Sequence, residues 1–376
     1  MELVIDRAAL QNGLGMVQGI VERRNTVPIL GHVLIEPDGT AVRLSATDLE
    51  VGLRTELPCE RCDKGAVTLN ARKLFEIVRE AEGDKVSIKS LDNDWMELRC
   101  GRARFKMMSL DPRSFPAMPS QGEGLRKALK GELKIAAAAF ADMIDKTLFA
   151  VSPDEARYNL SGVYIEAPET GVARMVATDG HRLAMIDREV AGFAMQGGAI
   201  VPRKGLGELR KLLDQAGDGE IEFVLDGQLA WLKRGATEVS MRLVEGEFPD
   251  YRGVIPKESR HHVSIGCEQL LNAIKRVAIF SNERYHGVKL GFAPSILTVS
   301  SISPEMGEAS EELDVDFTGE EFSIGFNASY LQQALNVMVR DSEAQVVLGL
   351  TDEVSPGVIT TPSDSLFRYV VMPMRL

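Results

Sequence analysis

Cysteine and tryptophan are scarce. The chain has 376 residues but only four Cys and two Trp, and aromatic residues make up 6% of it. Four cysteines are too few to staple a chain of this length. A disulfide scaffold is therefore excluded, and a reducing compartment, the cytoplasm, is expected. No apolar run approaches the ~18 residues that a membrane-spanning helix needs. The opening MELVIDRAAL carries acids early and lacks the long apolar core of a secretory leader. Neither a Walker phosphate loop nor a dinucleotide-binding glycine fingerprint is present, so no nucleotide cofactor is expected. Cations are outnumbered, 43 Lys and Arg against 55 Asp and Glu, for a net charge of −12. That balance argues against coating nucleic acid over the whole surface and leaves room for a local basic face. The remaining composition, 44% hydrophobic and 26% charged, is that of a globular chain. Its length suits about two to four domains.

The strongest internal signal is a repeat. Val67–Phe75 (VTLNARKLF) returns as Ile200–Leu206 (IVPRKGL) and again as Ile324–Leu331 (IGFNASYL), at offsets of 133 and 124. Ala46-Thr47-Asp48 returns as Ala177-Thr178-Asp179 at an offset of 131, and Ser114-Phe115-Pro116 as Glu247-Phe248-Pro249 at 133. Each unit starts with a short strand (Glu2–Ile5, Gly131–Ile135, His262–Ile265) and continues into a helix with apolar residues at helical spacing. In the first unit these are Leu10, Leu14, Val17 and Val21. Alternating strands such as Val42, Leu44 and Ala46 follow, the mark of antiparallel sheet with one buried face. Second helices are expected from Asn70, Arg203 and Asn327, since Asn is a favoured N-cap. Segments rich in Pro, Gly and charge at 116–124 and 251–260 fall where the repeat predicts boundaries. The fold class expected is α+β, with three similar domains at 1–120, 129–252 and 256–376, each an antiparallel sheet layer backing two helices.

Charge sorts with these elements. Over helices at 7–24, 70–82, 136–152, 203–215, 267–284 and 327–340, Lys and Arg exceed Asp and Glu by five, leaving −17 for the rest. Solvated helix faces and a sequence-blind phosphate-facing surface both fit this excess.

Several segments resemble one family, the bacterial β sliding clamps, which are processivity subunits of the replicative DNA polymerase. The C-terminus Val370–Leu376 (VVMPMRL) resembles the family's terminal segment. Ala177–Leu183 (ATDGHRL), Phe248–Tyr251 (FPDY) and Thr26–Leu30 (TVPIL) after Arg23-Arg24 resemble its central-domain segment, its second junction and its N-terminal loop. The similarity runs through all three repeats in order. It implies a DNA-clamp fold and a ring-shaped head-to-tail homodimer that encircles duplex DNA without reading sequence. It also implies no catalytic residues, no metal and no cofactor. The partners implied are a second copy, DNA, the replicative polymerase, a clamp loader and repair or translesion factors. The proteins among them would be bound through short linear peptides, and no membrane is involved.

The resemblance also implies sites. The partner-peptide pocket would use Leu160, Thr178, Gly180, His181, Arg182, Leu183, Pro249, Val254, Tyr285, Asn327, Tyr330, Val354, Val370, Val371, Met372, Pro373, Met374, Arg375 and Leu376. Gly253, Pro356 and Tyr285 stand where the family's best-known member has Arg, Ser and Phe, so a different peptide preference is expected. Arg24 and Tyr158 match DNA-touching positions, while Asn159 replaces a second Tyr there. Arg79, Arg203, Lys204, Lys275 and Arg276 are helical cations that would either face the hole or stand as solvated surface charges. Ile279 and Phe280 would form the apolar dimer contact, with Arg104 and Met107 opposite. The acidic stretch Glu305–Glu312 is either a partner for Arg72 and Lys73 or a solvated loop.

Two other chemistries compete. Asp179 and His181 form a conceivable acid–base pair, without a placed nucleophile. Cys59 and Cys62 have metal-like spacing, without the second pair a zinc site needs. Cys100 and Cys267 read as packed thiols. A three-domain enzyme and an acidic scaffold that never encircles DNA are thus the rivals. A repeat in three copies fits an enzyme poorly.

Overall fold

In this computed structural model, residues 1–21, 26–118, 134–154, 156–215, 219–282, 285–304, 306–339 and 343–376 are described. Six α-helices occur among them, α1 (Arg7–Val17), α2 (Ala71–Glu80), α3 (Ala137–Asp145), α4 (Arg203–Gln215), α5 (Cys267–Val277) and α6 (Ala328–Met338). Caps visible in the sequence set several starts. Asp6 accepts from Ala9 N at 2.8 Å to open α1, and Asn70 accepts from Lys73 N at 3.0 Å to open α2. Asn327 accepts from Ser329 N and Tyr330 N to open α6. Each satisfies backbone donors that the first helical turn leaves free.

The first helix of each repeat is shorter than expected. α1 stops at Val17, α3 at Asp145 and α5 at Val277. Beyond α3 the Thr147 hydroxyl donates to Met143 O, and the chain tightens into the 3₁₀ turn Leu148–Ala150. Beyond α5 it does the same over Ala278–Phe280. Side-chain bonds to helix carbonyls and 3₁₀ closure are the usual ways in which helices end. With the shorter bounds the helices' cationic excess falls from five to three, its sign unchanged.

The described residues form two compact units, Met1–Ala141 with Val201–Leu243, and Asp142–Ile200 with Val244–Leu376. In the first, α1 lies against α2. A five-stranded sheet runs Arg61–Cys62, Glu2–Asp6, Lys85–Ser90, Trp95–Cys100, Ala103–Met108. An eight-stranded sheet runs Lys134–Ala136, Glu220–Asp226, Leu229–Arg234, Thr237–Arg242, Val51–Pro58, Ala41–Thr47, His32–Pro37, Val67–Asn70. In the second unit α5 lies against α6. Its eight-stranded sheet runs Gly198–Pro202, Gly162–Glu166, Val172–Thr178, Arg182–Glu189, Asp364–Val371, Gly357–Thr361, Gln345–Leu350, His261–Gly266. Its four-stranded sheet runs Gly307–Asp314, Ile296–Ser303, Gly287–Ala293, Phe322–Asn327.

The long sheets explain why the compact units are two. Thr237–Arg242 pairs with Val51–Pro58, joining strands of the first and second repeats. Arg182–Glu189 pairs with Asp364–Val371, joining strands of the second and third. Strand pairing across a repeat boundary buries backbone as a sheet interior does. The cores follow the alternation read from sequence, with Leu3, Ile5, Val42, Leu44, Leu10 and Leu14 all buried.

The repeat is preserved to the hydrogen bond in one hairpin. Thr47 Oγ1 donates to Val51 O and accepts from Leu49 N, while Asp48 Oδ1 accepts from Glu50 N and Val51 N. Thr178 and Asp179 make the same four bonds, to Arg182 O and from Gly180, His181 and Arg182 N. The turn needs a positive φ at its third residue, which is 83° at Leu49 and 88° at Gly180. Glycine meets that demand without strain and leucine does not.

Cys59 and Cys62 are bonded to each other as a disulfide, against the expectation of reduced thiols. Cys100 and Cys267 are free and buried. Burial pushes both thiols up, Cys267 to about 11, so neither is primed as a nucleophile.

Candidate peptide pocket and interaction surfaces

In the second unit, a mostly apolar cavity of about 270 Å³ is lined by Leu160, Thr178, Gly180, Arg182, Leu183, Pro249, Asp250, Tyr251, Val254, Val370 and Met372. Four segments build it. The Thr178–Leu183 hairpin supplies one wall. The Asp364–Val371 strand, in register with it at Leu183 and Val370, supplies the floor. The 3₁₀ turn Tyr251–Val254 closes the third side, and Leu160, from the 3₁₀ turn Tyr158–Leu160, the fourth.

Buried charge holds the apolar surface in place. The Arg182 side chain is 6% exposed. Its Nη1 donates to Gln333 Oε1 at 2.7 Å, its Nη2 to Phe149 O at 2.6 Å and its Nε to Asp179 Oδ2 at 3.1 Å. The guanidinium also lies 4.4 Å from the Tyr330 ring centroid and 5.5 Å from that of Phe149. On the opposite wall, Tyr251 OH donates to Glu166 and accepts from Arg174 Nη1 at 3.2 Å. Arg174 grips Asp187 through two bonds of 2.7 Å, and Arg252 donates twice to Glu166. Burial, reinforced by the bond to Glu166, pushes the Tyr251 phenol up to about 12, so it stays protonated as a donor. Tyr164 stacks on Phe248 at 4.8 Å beneath this turn. Fixed walls of this kind spare a ligand the cost of ordering its own site.

The structure thus gathers nine of the residues expected in the pocket and leaves the others outside its lining. Val371 is 1% exposed, on the strand face opposite to Val370. His181 is exposed, its carbonyl accepting from Met372 N at 2.9 Å. Tyr285, Val354 and Leu376 are exposed at 59%, 65% and 66%. Asn327 Nδ2 donates to Tyr285 O, and Met374 N donates to Gly325 O at 2.8 Å. The tail after Pro373 thus lies along the Phe322–Asn327 strand, and Leu376 abuts Gly287 and Gly325, where any Cβ would collide with it. Arg375 is exposed at the end of this tail, and Tyr330 stacks under Arg182. Asp250 and Tyr251 line the cavity but were not among the expected residues, although they belong to the FPDY segment that signalled the junction.

In the first unit the repeat-related position is a separate cleft of about 510 Å³ that includes Thr47, Leu49, Gly52 and Pro116. Here Gly52 replaces the pocket's Leu183. Met118 fills the space, since a Cβ on Gly52 would lie 2.6 Å from Met118 Cε. Two similar junctions therefore present different surfaces.

The expected DNA contacts divide. Arg24 lies outside the described residues. Tyr158 is 61% exposed. Arg79 ends α2, paired with Glu80 at 2.9 Å, and Arg203 opens α4. Lys204 is paired with Asp48, and Arg276 is held by Glu311. Lys275 is exposed in the last turn of α5, with no ion pair among the described residues. At the expected interface, Ile279 is 71% exposed and Phe280 half-buried. Arg104, bonded to Glu97, and Met107 lie on Ala103–Met108, the last strand of its sheet. Within the chain Arg72 donates to Val21 O and Lys73 pairs with Glu76.

The rival chemistries find no support in the geometry. Asp179 accepts two backbone N–H bonds and the Arg182 Nε, which makes it a turn cap rather than a free base for His181. The sulfurs of Cys59 and Cys62 are bonded to each other rather than open to a metal.

Among the described residues, repeated sheets, paired helices and an apolar pocket braced by buried ion pairs are the features of a binding protein. Family models agree on which one. Those of the DNA polymerase III beta subunit match at residues 1–119 (N-terminal domain), 134–250 (central domain) and 252–375 (C-terminal domain). The beta sliding clamp of Caulobacter vibrioides is 37% identical with both chains fully covered, and that of Proteus mirabilis 36%. The crystal structure of the Pseudomonas aeruginosa subunit matches the whole chain with a TM-score of 0.90 at 35% identity. That of Bartonella birtlesii bound to griselimycin matches at 0.92 and 34%. The chain belongs to the DNA polymerase III beta subunit family, the bacterial β sliding clamps. It has three clamp domains, its role is that of a DNA sliding clamp in replication, and it is non-catalytic.

Proposed function

We propose that two copies close head to tail into a ring around duplex DNA, and that the pocket of the second unit tethers partners by short linear peptides. The domains of this ring are bounded at 1–120, 129–252 and 256–376. The observation that carries the ring is a pair of uncovered strand edges of opposite charge. Ala103–Met108 ends its sheet with Arg104 and Lys106 exposed and Arg102 just before it. Gly307–Asp314 ends another with Glu308, Glu312 and Asp314 exposed. Uncovered edges invite pairing with another chain, and complementary charge sets which one. Exposed Ile279 and half-buried Phe280 supply an apolar contact beside the acidic edge. In a symmetric dimer both contacts recur.

Enclosure explains the modest basic excess of the helices. Tight phosphate binding would stop a ring in one place, while weak screened contacts let it slide. Arg24, Tyr158, Arg79, Arg203, Lys204, Lys275 and Arg276 are the contacts proposed. The apolar pocket suits one or two apolar anchors of a partner peptide. A relative's complex with griselimycin, a peptide-like ligand, supports that use. Polymerase, loader and repair factors would share it in turn, and the chain would work in the cytoplasm.

The test is retention on nicked circular DNA after loading. A ring stays on the circle and is lost when the circle is cut. A chain that leaves at the same rate before and after cutting does not enclose DNA.

A further inference from the structure

The face of the sheet that carries the pocket continues into a second cleft, of about 660 Å³. The two sites are neighbours by register. Val370, in the pocket, pairs with Leu183 on one side and Val358 on the other. Two residues back, Arg368 pairs with Met185 and with Thr360, and lines the cleft with Thr360. Side chains alternate along a strand, so Arg368 and Val370 stand on one face. The covering segment repeats the pattern, since Val254 lines the pocket and Ile255 to Ser259 line the cleft.

The chemistry changes from one site to the other. The pocket is mostly apolar. The cleft presents Lys257, Arg368 and the His262 imidazole, with hydroxyls from Ser259 and Thr360, against the single carboxylate of Glu258. Lys257 and Arg368 are exposed, and neither has an ion pair among the described residues. The cations around the pocket itself, Arg174, Arg182 and Arg252, are by contrast held by carboxylates. On a chain of net charge −12, two unpartnered cations beside an apolar anchor site mark a place for negative charge.

We propose that this cleft receives acidic residues flanking the apolar anchor of the docked partner peptide, so that Lys257 and Arg368 set peptide preference. The inference rests on the reading of the pocket as a peptide site and adds the class of sequence that binds there best. The cations work through screened, solvent-facing attraction. They favour encounter and selectivity more than raw affinity.

The test compares three synthetic peptides with the same Leu-Phe anchor. One carries Asp-Glu-Asp before it, one carries the same residues after it, and one has Asn-Gln-Asn on both sides. Titrations with the full chain at about 50 mM and 500 mM salt are expected to favour one acidic peptide about three- to tenfold at low salt only. The Lys257→Gln/Arg368→Gln variant should lose that advantage and bind the neutral peptide as the parent does. An acidic flank without advantage on either side, or an advantage that survives in the variant, overturns the proposal. So does a variant that loses retention on circular DNA while keeping the acidic preference, which would give these cations to DNA phosphates. A neutral peptide that fails to bind the parent chain overturns the pocket reading, and this inference with it.

Discussion

Replacing Arg182 by Lys tests whether the pocket depends on one buried guanidinium. Arg182 directs three donors in three directions, to Gln333 and to Phe149 O at 2.7 and 2.6 Å and to Asp179 at 3.1 Å. A lysine ammonium is a point charge. It can reach one of these diverging acceptors well, and it cannot stack as a plane on Tyr330. Losing one charge-assisted bond or more costs about 1.5–3 kcal/mol apiece, and losing a desolvated cation–π contact about 1–2 kcal/mol. Asp179 keeps its two backbone donors, which limits the damage, so a net loss of about 3 kcal/mol is expected. At about 2–4 °C per kcal/mol for a unit of this size, melting should fall by about 6–12 °C. Peptide binding should weaken as well. Arg182 ties the hairpin bearing Leu183 to the helix bearing Gln333, so a loosened wall costs about tenfold in affinity, or about 1.4 kcal/mol. Scanning calorimetry reads the first effect. Peptide titration well below the melting range reads the second. A melting temperature within about 2 °C of the parent, with unchanged affinity, would refute the claim that this guanidinium holds the pocket.

Deleting Met372 to Leu376 removes a lining residue and the tail bond to Gly325, so peptide binding should vanish while the dimer mass by light scattering stays the same. Replacing Ile279 and Phe280 with Asp should yield monomers at every concentration of a dilution series, and an unchanged dimer mass would place the interface elsewhere. Asp364 gives a pH prediction. Burial pushes its carboxyl up, but bonds from Arg188 and Lys146 outweigh that and hold it at about 2. Its folded value lies below the unfolded value of about 3.9, so the stability it contributes is present above that pH and lost as pH falls toward 2. The contribution is about 2 kcal/mol, and Asp364→Asn should flatten the dependence of the urea midpoint on pH across that window. Lys275→Glu should weaken the binding of the unloaded chain to linear duplex DNA at low salt, a difference that fades as salt rises, without changing peptide affinity or retention on intact circles.

The sequence by itself determined much of the framework. Asn70 and Asn327 announce helix starts because their side chains bond the next backbone donors, a local event within three residues. Alternation at Val42, Leu44 and Ala46 announces a half-buried strand for the same reason, since a side chain's face follows from its parity. The threefold repeat was legible because like folds keep like turns, and the bonds of Thr47-Asp48 and Thr178-Asp179 match one for one. The pocket was partly legible through motifs whose residues are adjacent in sequence.

Tertiary structure decided what depends on distant partners. Helix ends moved inward because Thr147 and the 3₁₀ turns compete with the helix for its last carbonyls. Val371 and Val370 look alike in sequence, yet only Val370 lines the cavity, because pairing with Leu183 fixes which strand face meets it. Tyr251 became part of the wall because Glu166, Arg174 and Arg252 arrive from other segments to hold its hydroxyl. The repeat aligns Ala46-Thr47-Asp48 with Ala177-Thr178-Asp179, and with them Gly52 and Leu183. Met118 lies over Gly52 in the first and Leu183 lines the second, so the two clefts differ in the surface they present.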